Sequence, residues 1–454
     1  MITIEEALER ILNGLEVLNA EEKAPVEALG QVLDEGISAT FDIPPLANSA
    51  MDGYAVRSVD TEGARPDRPR ELEIIGEVAA GYISRVAVGP GTAVRIMTGA
   101  TIPEGADAVV PFEDTDEGSG HSARSSLASA AGGSIAIKVF KGAAPGDSIR
   151  PAGEDVREGD LVVQRGTVLR PSEIGVIASL GRDSVRVIRR PVVAVLSTGD
   201  ELLEPGRRRC GVQIYDANAY SIAALVSRFG GIPRIMGIAR DDFDALTTKI
   251  RESLDADLLV TSAGVSKGDY DMVKDVLARE GQVEFYTVAM KPGKPLAFGS
   301  FHKGGRKIPH IGLPGNPVSS MVAFELFGRA AIMTMMGKTD VRRPLIRAIA
   351  TESIVNGDCQ RVLLARCIVT EFGGKSYAKL TGEQGSGMLT SMMRANALTV
   401  LRPNEAISAG GEVKVLLLDH SRGEEWGSYR CGRPESAIEF PGCSRGQEDC
   451  ARPS

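Results

Sequence analysis

The feature that most constrains the fold is the alternation of apolar strands and amphipathic helices between residues 171 and 336. Runs such as PVVAVLST and DLLVTSAG are almost entirely apolar, which is typical of strands buried on both faces. Segments such as ANAYSIAALVSRFGG and DFDALTTKIRESLDA have helical spacing and follow these runs. The pattern predicts a doubly wound α/β domain, with helices on both faces of a parallel sheet.

The segments on either side of this block are predicted to be rich in β-strands. Short apolar runs separated by glycine and proline turns occupy residues 70–170 and return at 341–418. The expected fold class is therefore α/β plus β, in several domains. The expected segments are an N-terminal linker and helical domain (1–45 and 144–175), a small β-rich domain (46–143), the α/β domain (176–336), a small C-terminal β domain (337–419) and a disordered tail (420–454).

Charge and composition argue against several classes of partner. Acidic residues outnumber basic residues by 60 to 52, the opposite of what a protein that binds nucleic-acid phosphates shows. No apolar run reaches the length of about 18–20 residues that spans a bilayer. The N-terminus, MITIEEALERILNGL, carries acids where a signal peptide carries a basic patch. We therefore expect a cytoplasmic protein with no nucleic-acid and no membrane partner.

Three predicted strand-to-helix junctions combine glycine with hydroxyl side chains. They are LSTGDE at 196–201, TSAGVSKGDYD at 261–271 and GLPGNPVSS at 312–320. Ligands bind at the carboxyl ends of strands in open α/β sheets, where the N–H groups of the next helix attract anions. Any one junction is equally well explained as a capped turn, but three in one sheet favour a binding site.

Two lysines in the segment AMKPGKP favour an oxyanion ligand. Lys291 and Lys294 are three residues apart, and the neighbouring prolines limit the freedom of the backbone that carries them. A turn with two solvated lysines is the simpler alternative. The pattern predicts a phosphate or a similar oxyanion next to these lysines.

Carboxylates in the same block suit a hard divalent cation, for which Mg²⁺ is the natural choice beside a phosphate. They are Asp200, Glu201, Asp241, Asp242 and Asp271. Asp241 and Asp242 also precede the helix DFDALTTKI, and we expect one of them to cap it.

Eight segments in order resemble the molybdopterin molybdenumtransferase family, that is, the MoeA-type enzymes and the C-terminal domain of gephyrin. They are NSAMDGYAVR, RIMTGA, GED, STGDEL, ANAYSIAALV, TSAGVSKGDYD, MKPGKP and LPGNPVSS, and the resemblance covers about residues 1–418. It implies an elongated four-domain subunit in a homodimer, with an α/β domain like the molybdopterin adenylyltransferase fold. It further implies Mg²⁺-dependent insertion of molybdate into adenylylated molybdopterin, with release of AMP.

The resemblance also implies roles for individual residues. Catalytic roles fall on Asp52, Thr98, Asp155, Glu201, Lys291 and Lys294. Contacts with the substrate fall on Ser262, Gly264, Ser266, Pro314, Gly315, Asn316 and Pro317. The Mg²⁺ ligands would be Asp241 and Asp271. Where the family usually has two glycines, this chain has Ala263 and Gly264, so a methyl group enters that loop.

Two other functions stay open at this point. One is a molybdopterin-binding scaffold or carrier without turnover; the retained Asp271 and the two lysines argue against it. The other is the adenylyltransferase itself, against which the β-rich segment 46–143 and its Asp52 motif argue. The adenylyltransferase and apo-molybdoenzymes are also candidate protein partners. Molybdate and tungstate have the same charge and nearly the same size, and we identify no residue that separates them.

Overall fold

The computed structural model describes residues 1–118, 135–262 and 272–419. The predicted tail 420–454 therefore lies outside the described residues. The helices of the described part are α1 (Ile4–Asn13), α2 (Pro171–Ser179), α3 (Ala217–Arg228), α4 (Phe243–Ser253), α5 (Met272–Glu280), α6 (Pro317–Ala323), α7 (Arg329–Met335) and α8 (Leu389–Arg394).

The strands are β1 (Ala20–Lys23), β2 (Ile37–Ser38), β3 (Asn48–Ser49), β4 (Gly53–Val56), β5 (Arg70–Val78), β6 (Thr92–Ile96), β7 (Ala108–Pro111), β8 (Ile135–Val139), β9 (Ile149–Arg150), β10 (Leu161–Val163), β11 (Val185–Ile188), β12 (Val192–Thr198), β13 (Leu202–Leu203), β14 (Ile214–Tyr215), β15 (Ile232–Ala239), β16 (Leu258–Ser262), β17 (Gly281–Thr287), β18 (Met290–Lys291), β19 (Pro295–Lys303), β20 (Arg306–Leu313), β21 (Leu345–Ala350), β22 (Ile354–Val355), β23 (Val362–Phe372), β24 (Lys375–Leu380), β25 (Ala397–Leu401), β26 (Ala406–Ile407) and β27 (Glu412–Leu417).

The chain divides into two compact units. The large unit contains residues 1–23, 28–34 and 186 onward. The small unit contains residues 24–27 and 35–185.

The central sheet of the large unit has the strand order β15-β12-β16-β20-β19-β17. The first four strands are parallel neighbours, as expected, whereas β19 runs antiparallel to both β20 and β17. The difference has a local cause. Gly304 and Gly305 have φ angles of 57° and 78° and form the two-residue turn of a hairpin between β19 and β20.

Side chains of the central sheet alternate between two cores. Val193 and Val195 of β12 belong to the core that includes α3 and α6, and Ala194 and Leu196 belong to the core that includes α4 and α5. The first core also contains Ala7 and Ile11 of α1. This burial explains why residues 1–23 group with the large unit, whereas we expected them to group with 144–175.

A continuous helical span, Pro317–Met335, forms the centre of the first core. It consists of α6, a π-helical turn at Phe324–Gly328 and α7. By length and composition this span could cross a membrane, whereas we expected no stretch of the chain to be long and apolar enough. However, 78% of it is buried inside the structure. Its apolar character is explained by this burial.

The C-terminal sheet of the large unit has the order β18-β23-β24-β21-β27-β25, and β25 also pairs with β23. The second pairing closes five strands into a small barrel and leaves β18 as an added edge strand. The small C-terminal β domain expected from the sequence is therefore confirmed. Its interior contains aliphatic side chains and the buried thiol of Cys367.

The small unit contains a five-stranded sheet of order β7-β4-β6-β5-β8 and the strand pairs β3–β9 and β2–β10. All four residues of β4 are buried. Tyr54 and Val56 lie in one core and Ala55 lies in another, so this short strand anchors the NSAMDGYAVR segment.

Candidate functional site

Three parallel strands of the central sheet end side by side with hydroxyl or glycine residues. In the paired register Ser197 of β12 lies opposite Ser262 of β16, and Ser262 lies opposite Leu313 of β20. The carboxyl ends of the three strands therefore meet at one edge, where the sequence placed its three junctions.

Asn218 connects these strand ends. Asp216 caps α3 by accepting a hydrogen bond from the N–H of Ala219, and this places Asn218 in the first turn of the helix. The Nδ2 amide of Asn218 donates to Oγ of Ser262 at 2.7 Å and to the carbonyl oxygen of Gly315 at 2.7 Å. The sequence did not lead us to single out Asn218. The signal in the sequence that could have identified it was an amide side chain in the first turn of a predicted helix.

The acidic residues that follow β12 and β15 are adjacent. The backbone N–H of Asp241 donates to Oδ1 of Asp200 at 3.4 Å. Gly199 has a φ of +142°, and a Cβ at this position would lie 2.5 Å from Oε2 of Glu201, so the Glu201 carboxylate packs over this glycine. Asp242 caps α4 through the N–H of Ala245, as expected for one member of the pair.

These carboxylates are the donor type that Mg²⁺ prefers, but they do not complete a site by themselves. Within residues 1–118, 135–262 and 272–419, no three histidine, cysteine, aspartate or glutamate side chains come together as a metal site. Asp241 and Asp200 are neighbours through the backbone N–H of Asp241. Asp271, the other expected ligand, lies outside the described residues.

The lysine loop is held by the C-terminal barrel. Met290 and Lys291 pair in parallel register with Val362 and Leu363 of β23. Gly293 has a φ of +97°, which side chains rarely adopt, so the reversal between the two lysines requires glycine. The central sheet and the barrel therefore both determine where the two ammonium groups lie.

A cavity of about 770 Å³ lies in the large unit between the lysine loop, the turn after β20 and the barrel. Lys291 and Lys294 both line it. Pro314, Gly315 and Asn316 of the PGNP turn line it as well, and Pro317 begins α6 next to them. The structure thus brings together most of the residues that the sequence assigned to oxyanion and substrate binding.

The barrel adds two arginines to this cavity, which the sequence analysis did not identify. Arg366 is only 1% exposed, and its guanidinium donates to Oγ of Ser391 and to the carbonyl oxygens of Glu383, Gln384 and Gly385. Burial lowers the pKa of Arg366, and the side chain has no carboxylate partner in the described part of the chain. Arg361 also lines the cavity and pairs with Asp358.

The cavity is therefore strongly cationic. Its described lining contains Lys291, Lys294, Arg361 and Arg366 but no aspartate or glutamate. Positive charges held in a concave, partly desolvated site attract anions more strongly than the same charges do on an open surface.

Two further predicted residues meet in the small unit. The backbone N–H of Thr98 donates to Oδ1 of Asp52 at 2.6 Å, and the Thr98 hydroxyl donates to the same oxygen at 2.8 Å. These two hydrogen bonds lower the pKa of Asp52 below its ordinary value and keep the exposed carboxylate ionised at neutral pH. Asp155 lies on another turn of this unit, where its N–H donates to the carbonyl of Ile43.

Gly264 and Ser266, predicted to contact the substrate, lie outside the described residues, as does Ala263. The described fold and site define a class: an α/β protein with a cationic cavity at the carboxyl edge of its sheet. Comparison with family models places it further. Residues 2–181 match the MoeA N-terminal region (domain I and II), 194–334 match a domain described as "Probable molybdopterin binding domain", and 350–418 match the MoeA C-terminal region (domain IV).

The names of related proteins agree with these family matches. The chain is 40% identical over 339 residues to molybdopterin molybdenumtransferase 2 of Mycobacterium tuberculosis, covering 73% of this chain and 78% of that protein. It is 33% identical over 430 residues to molybdopterin molybdenumtransferase of Staphylococcus aureus, covering 93% and 97%. The crystal structure of the molybdopterin biosynthesis moeA protein from Pyrococcus horikoshii superposes with a TM-score of 0.73 at 29% identity, covering 92% and 100%. The chain belongs to the MoeA family of molybdopterin molybdenumtransferases.

Proposed function

We propose that this protein is a transferase that inserts molybdate into adenylylated molybdopterin and releases AMP, the last step of molybdenum cofactor synthesis. Its membership of the MoeA family and its relatives named molybdopterin molybdenumtransferase support this reaction. The single observation of the structure that carries the proposal is the cationic cavity at the carboxyl edge of the central sheet.

The cavity suits the charge of the substrates. Molybdate is a small tetrahedral dianion, and the adenylylated pterin carries phosphate groups. The ammonium groups of Lys291 and Lys294 attract such oxygens as point charges, and the buried charge of Arg366 adds to the positive potential of the cavity. In the proposed reaction the two lysines hold an oxyanion against the PGNP turn, where Pro314, Gly315 and Asn316 line the same wall.

The proposal includes Mg²⁺, with Asp241 and Asp271 as its ligands. The position of Asp241 beside Asp200 supports an oxygen-donor site at this edge of the sheet. When bound, Mg²⁺ neutralises phosphate charge and so eases departure of the AMP group. Glu201, the next carboxylate along the chain, would orient water or the phosphate at this edge.

The proposed catalytic residues of the small unit are Asp52, Thr98 and Asp155. Thr98 fixes the Asp52 carboxylate in one orientation and in its ionised form, so it is suited to accept a proton or a hydrogen bond at a defined position. We further propose that the enzyme works in the cytoplasm as a homodimer; sedimentation of the purified protein would test the dimer.

The reaction is tested directly with purified protein, adenylylated molybdopterin, molybdate and Mg²⁺. We expect AMP release that requires both molybdate and Mg²⁺, together with activation of an apo-molybdoenzyme by the product. Tight binding of the adenylylated pterin without AMP release would identify a carrier instead. Formation of the adenylylated pterin from ATP and molybdopterin would identify an adenylyltransferase.

A further inference from the structure

Residues 204–213, EPGRRRCGVQ, form a segment between β13 and β14 that we call the basic arm. Arg207, Arg208 and Arg209 in this arm are all exposed. They are the only three consecutive basic residues in the sequence, which carries a net charge of −8. Among the described residues no carboxylate forms an ion pair with these three guanidinium groups, whereas Arg240 lies 3.9 Å from Oδ1 of Asp200.

The arm is attached at both ends to residues of the functional site. The N–H of Ile214 donates to the carbonyl of Glu201 at 2.9 Å, and the N–H of Asp216 donates to the carbonyl of Leu203 at 2.9 Å. The arm therefore begins three residues after Glu201 and ends three residues before Asp216, the cap of α3, the helix that carries Asn218.

A side-chain contact fixes the arm near this base. The hydroxyl of Tyr215 donates to the carbonyl oxygen of Arg207 at 2.9 Å. Because Tyr215 belongs to β14, this hydrogen bond holds the backbone of the first arginine close to the β13–β14 strand pair. The five steps along the chain from Leu203 to Arg208 span at most about 18 Å when fully extended. This distance is less than the Debye length of about 30 Å at 0.01 M salt and exceeds that of about 10 Å at 0.1 M.

The arm carries positive charge to the acidic part of this edge, at the ends of β12 and β15, whereas the cationic cavity lies at the end of β20. Asp200, Glu201 and Asp241 follow the neighbouring strand ends, and none of them is suited to attract a phosphate-bearing substrate before a cation binds. Arginines that stabilise the fold would be expected to form ion pairs with such carboxylates. Within the described ranges these three have no carboxylate partner and are exposed to solvent, where their field reaches an approaching ligand.

We propose that the basic arm attracts the anionic, phosphate-bearing substrate by long-range electrostatics and so speeds its entry into the site. The inference rests on the proposed function for the identity of that substrate. The arm acts on association alone: it is not part of the bound site, and turnover at saturating substrate does not depend on it.

Charge number and salt give the expected size of the effect. Three charges about 15 Å from a dianion, screened at 0.01 M salt, correspond to roughly a fivefold gain in association rate. At 0.1 M salt the gain falls to about twofold. A contact made in the bound complex would instead alter the dissociation rate and depend less on salt.

The test compares the full-length protein with R207Q/R208Q/R209Q and with R207K/R208K/R209K. The association rate of adenylylated molybdopterin is followed by stopped-flow detection of its pterin fluorescence, at 0.01 M and 0.1 M salt. We expect the glutamine variant to associate about fivefold more slowly at low salt, with an unchanged dissociation rate. The lysine variant, which keeps the charge and loses the planar fork, should match the unmodified protein.

Two results would overturn the inference. An association rate that is unchanged in the glutamine variant at low salt would remove the arm from substrate entry. Equal losses in the lysine and glutamine variants would show a direct guanidinium contact and not steering. The measurement detects binding and not AMP release, so it tests the arm even if the proposed reaction does not occur. If the unmodified protein binds the substrate but releases no AMP, only the proposed function is contradicted.

Discussion

Lys291 lies opposite Leu363 in a parallel strand pair, so the lysine loop of the α/β domain is an edge strand of the C-terminal barrel. The N–H of Val362 donates to the carbonyl of Ala289 and extends the same pairing. The barrel thus holds the loop by backbone hydrogen bonds and adds Arg361 and Arg366 to the cavity that the loop lines. A cavity with this charge needs both parts of the large unit.

Replacement of Lys291 or Lys294 by alanine is expected to weaken molybdate binding by about 10- to 100-fold, because each change removes a charge-assisted contact. Isothermal titration with molybdate checks this. K375A is the matched control: Lys375 begins β24 and pairs with Phe372 at the far end of β23, which is nine residues, or roughly 30 Å, along the strand from Leu363. Similar losses in K375A would show that only the net charge matters.

Asp52→Asn is expected to lower the rate of AMP release at least about tenfold while changing the free energy of unfolding little, because the side chain is exposed. The lowered pKa of Asp52 means that its carboxylate is already ionised well below neutral pH. A rate limited by this group should therefore stay flat from about pH 8 to pH 5. D67N, another exposed carboxylate of the small unit, is the control. Full activity of D52N would remove this residue from the reaction.

Asn218→Ala is expected to destabilise the large unit by about 1–3 kcal/mol, because it removes the donor to Ser262 and to the carbonyl of Gly315. It should also weaken binding of the pterin substrate, since the two turns lose their common link. Urea unfolding and a pterin-binding titration measure the two effects. The S227A variant, in the last turn of α3, is the control, because the Ser227 hydroxyl donates to the carbonyl of Ala223 and does not contact Asn218. Unaltered binding in a destabilised N218A protein would limit Asn218 to a structural role.

His310→Gln tests a buried histidine in the central sheet. Burial lowers the pKa of His310 to about 3, and its Nε2 lies 2.9 Å from Oγ1 of Thr261. Below the ordinary histidine pKa of about 6.5 only the unfolded chain binds this proton, so stability should fall by up to about 1.4 kcal/mol per pH unit between pH 6.5 and 3.

Urea unfolding of the unmodified protein and of H310Q at pH 7.5, 6.5 and 5.5 measures this slope. H310Q should lose most of it, whereas H302Q, a change to an exposed histidine on the adjacent strand, should keep it. Identical pH dependence in H310Q and the unmodified protein would contradict the buried neutral histidine.

Much of the fold was predictable because burial leaves a strong sequence pattern. Strands such as β12 and β16 are apolar on both faces, and helices such as α3 and α4 have one apolar stripe and an aspartate cap. The antiparallel edge was missed because β17 and β19 carry mixed patterns and follow a helix, and the GG turn at Gly304 was the one clear signal of a hairpin.

The site was predictable where the chemistry lies within one short segment. Lys291, Lys294 and the PGNP turn each carry their signal locally, and the structure brings them to one cavity. Arg366 gave no such signal, because its position depends on a β-strand that reaches the cavity only through the pairing of β18 with β23. Long-range pairing of this kind leaves no local pattern in a single sequence.

The measurement that tests the central claim most directly is AMP release from adenylylated molybdopterin, followed with and without molybdate in the unmodified protein and in K291A/K294A. We expect release by the unmodified protein only when both molybdate and Mg²⁺ are present. The double variant should need far more molybdate to reach the same rate. Release that ignores molybdate, or a double variant with an unchanged molybdate requirement, would contradict the assignment of the cationic cavity to molybdate transfer.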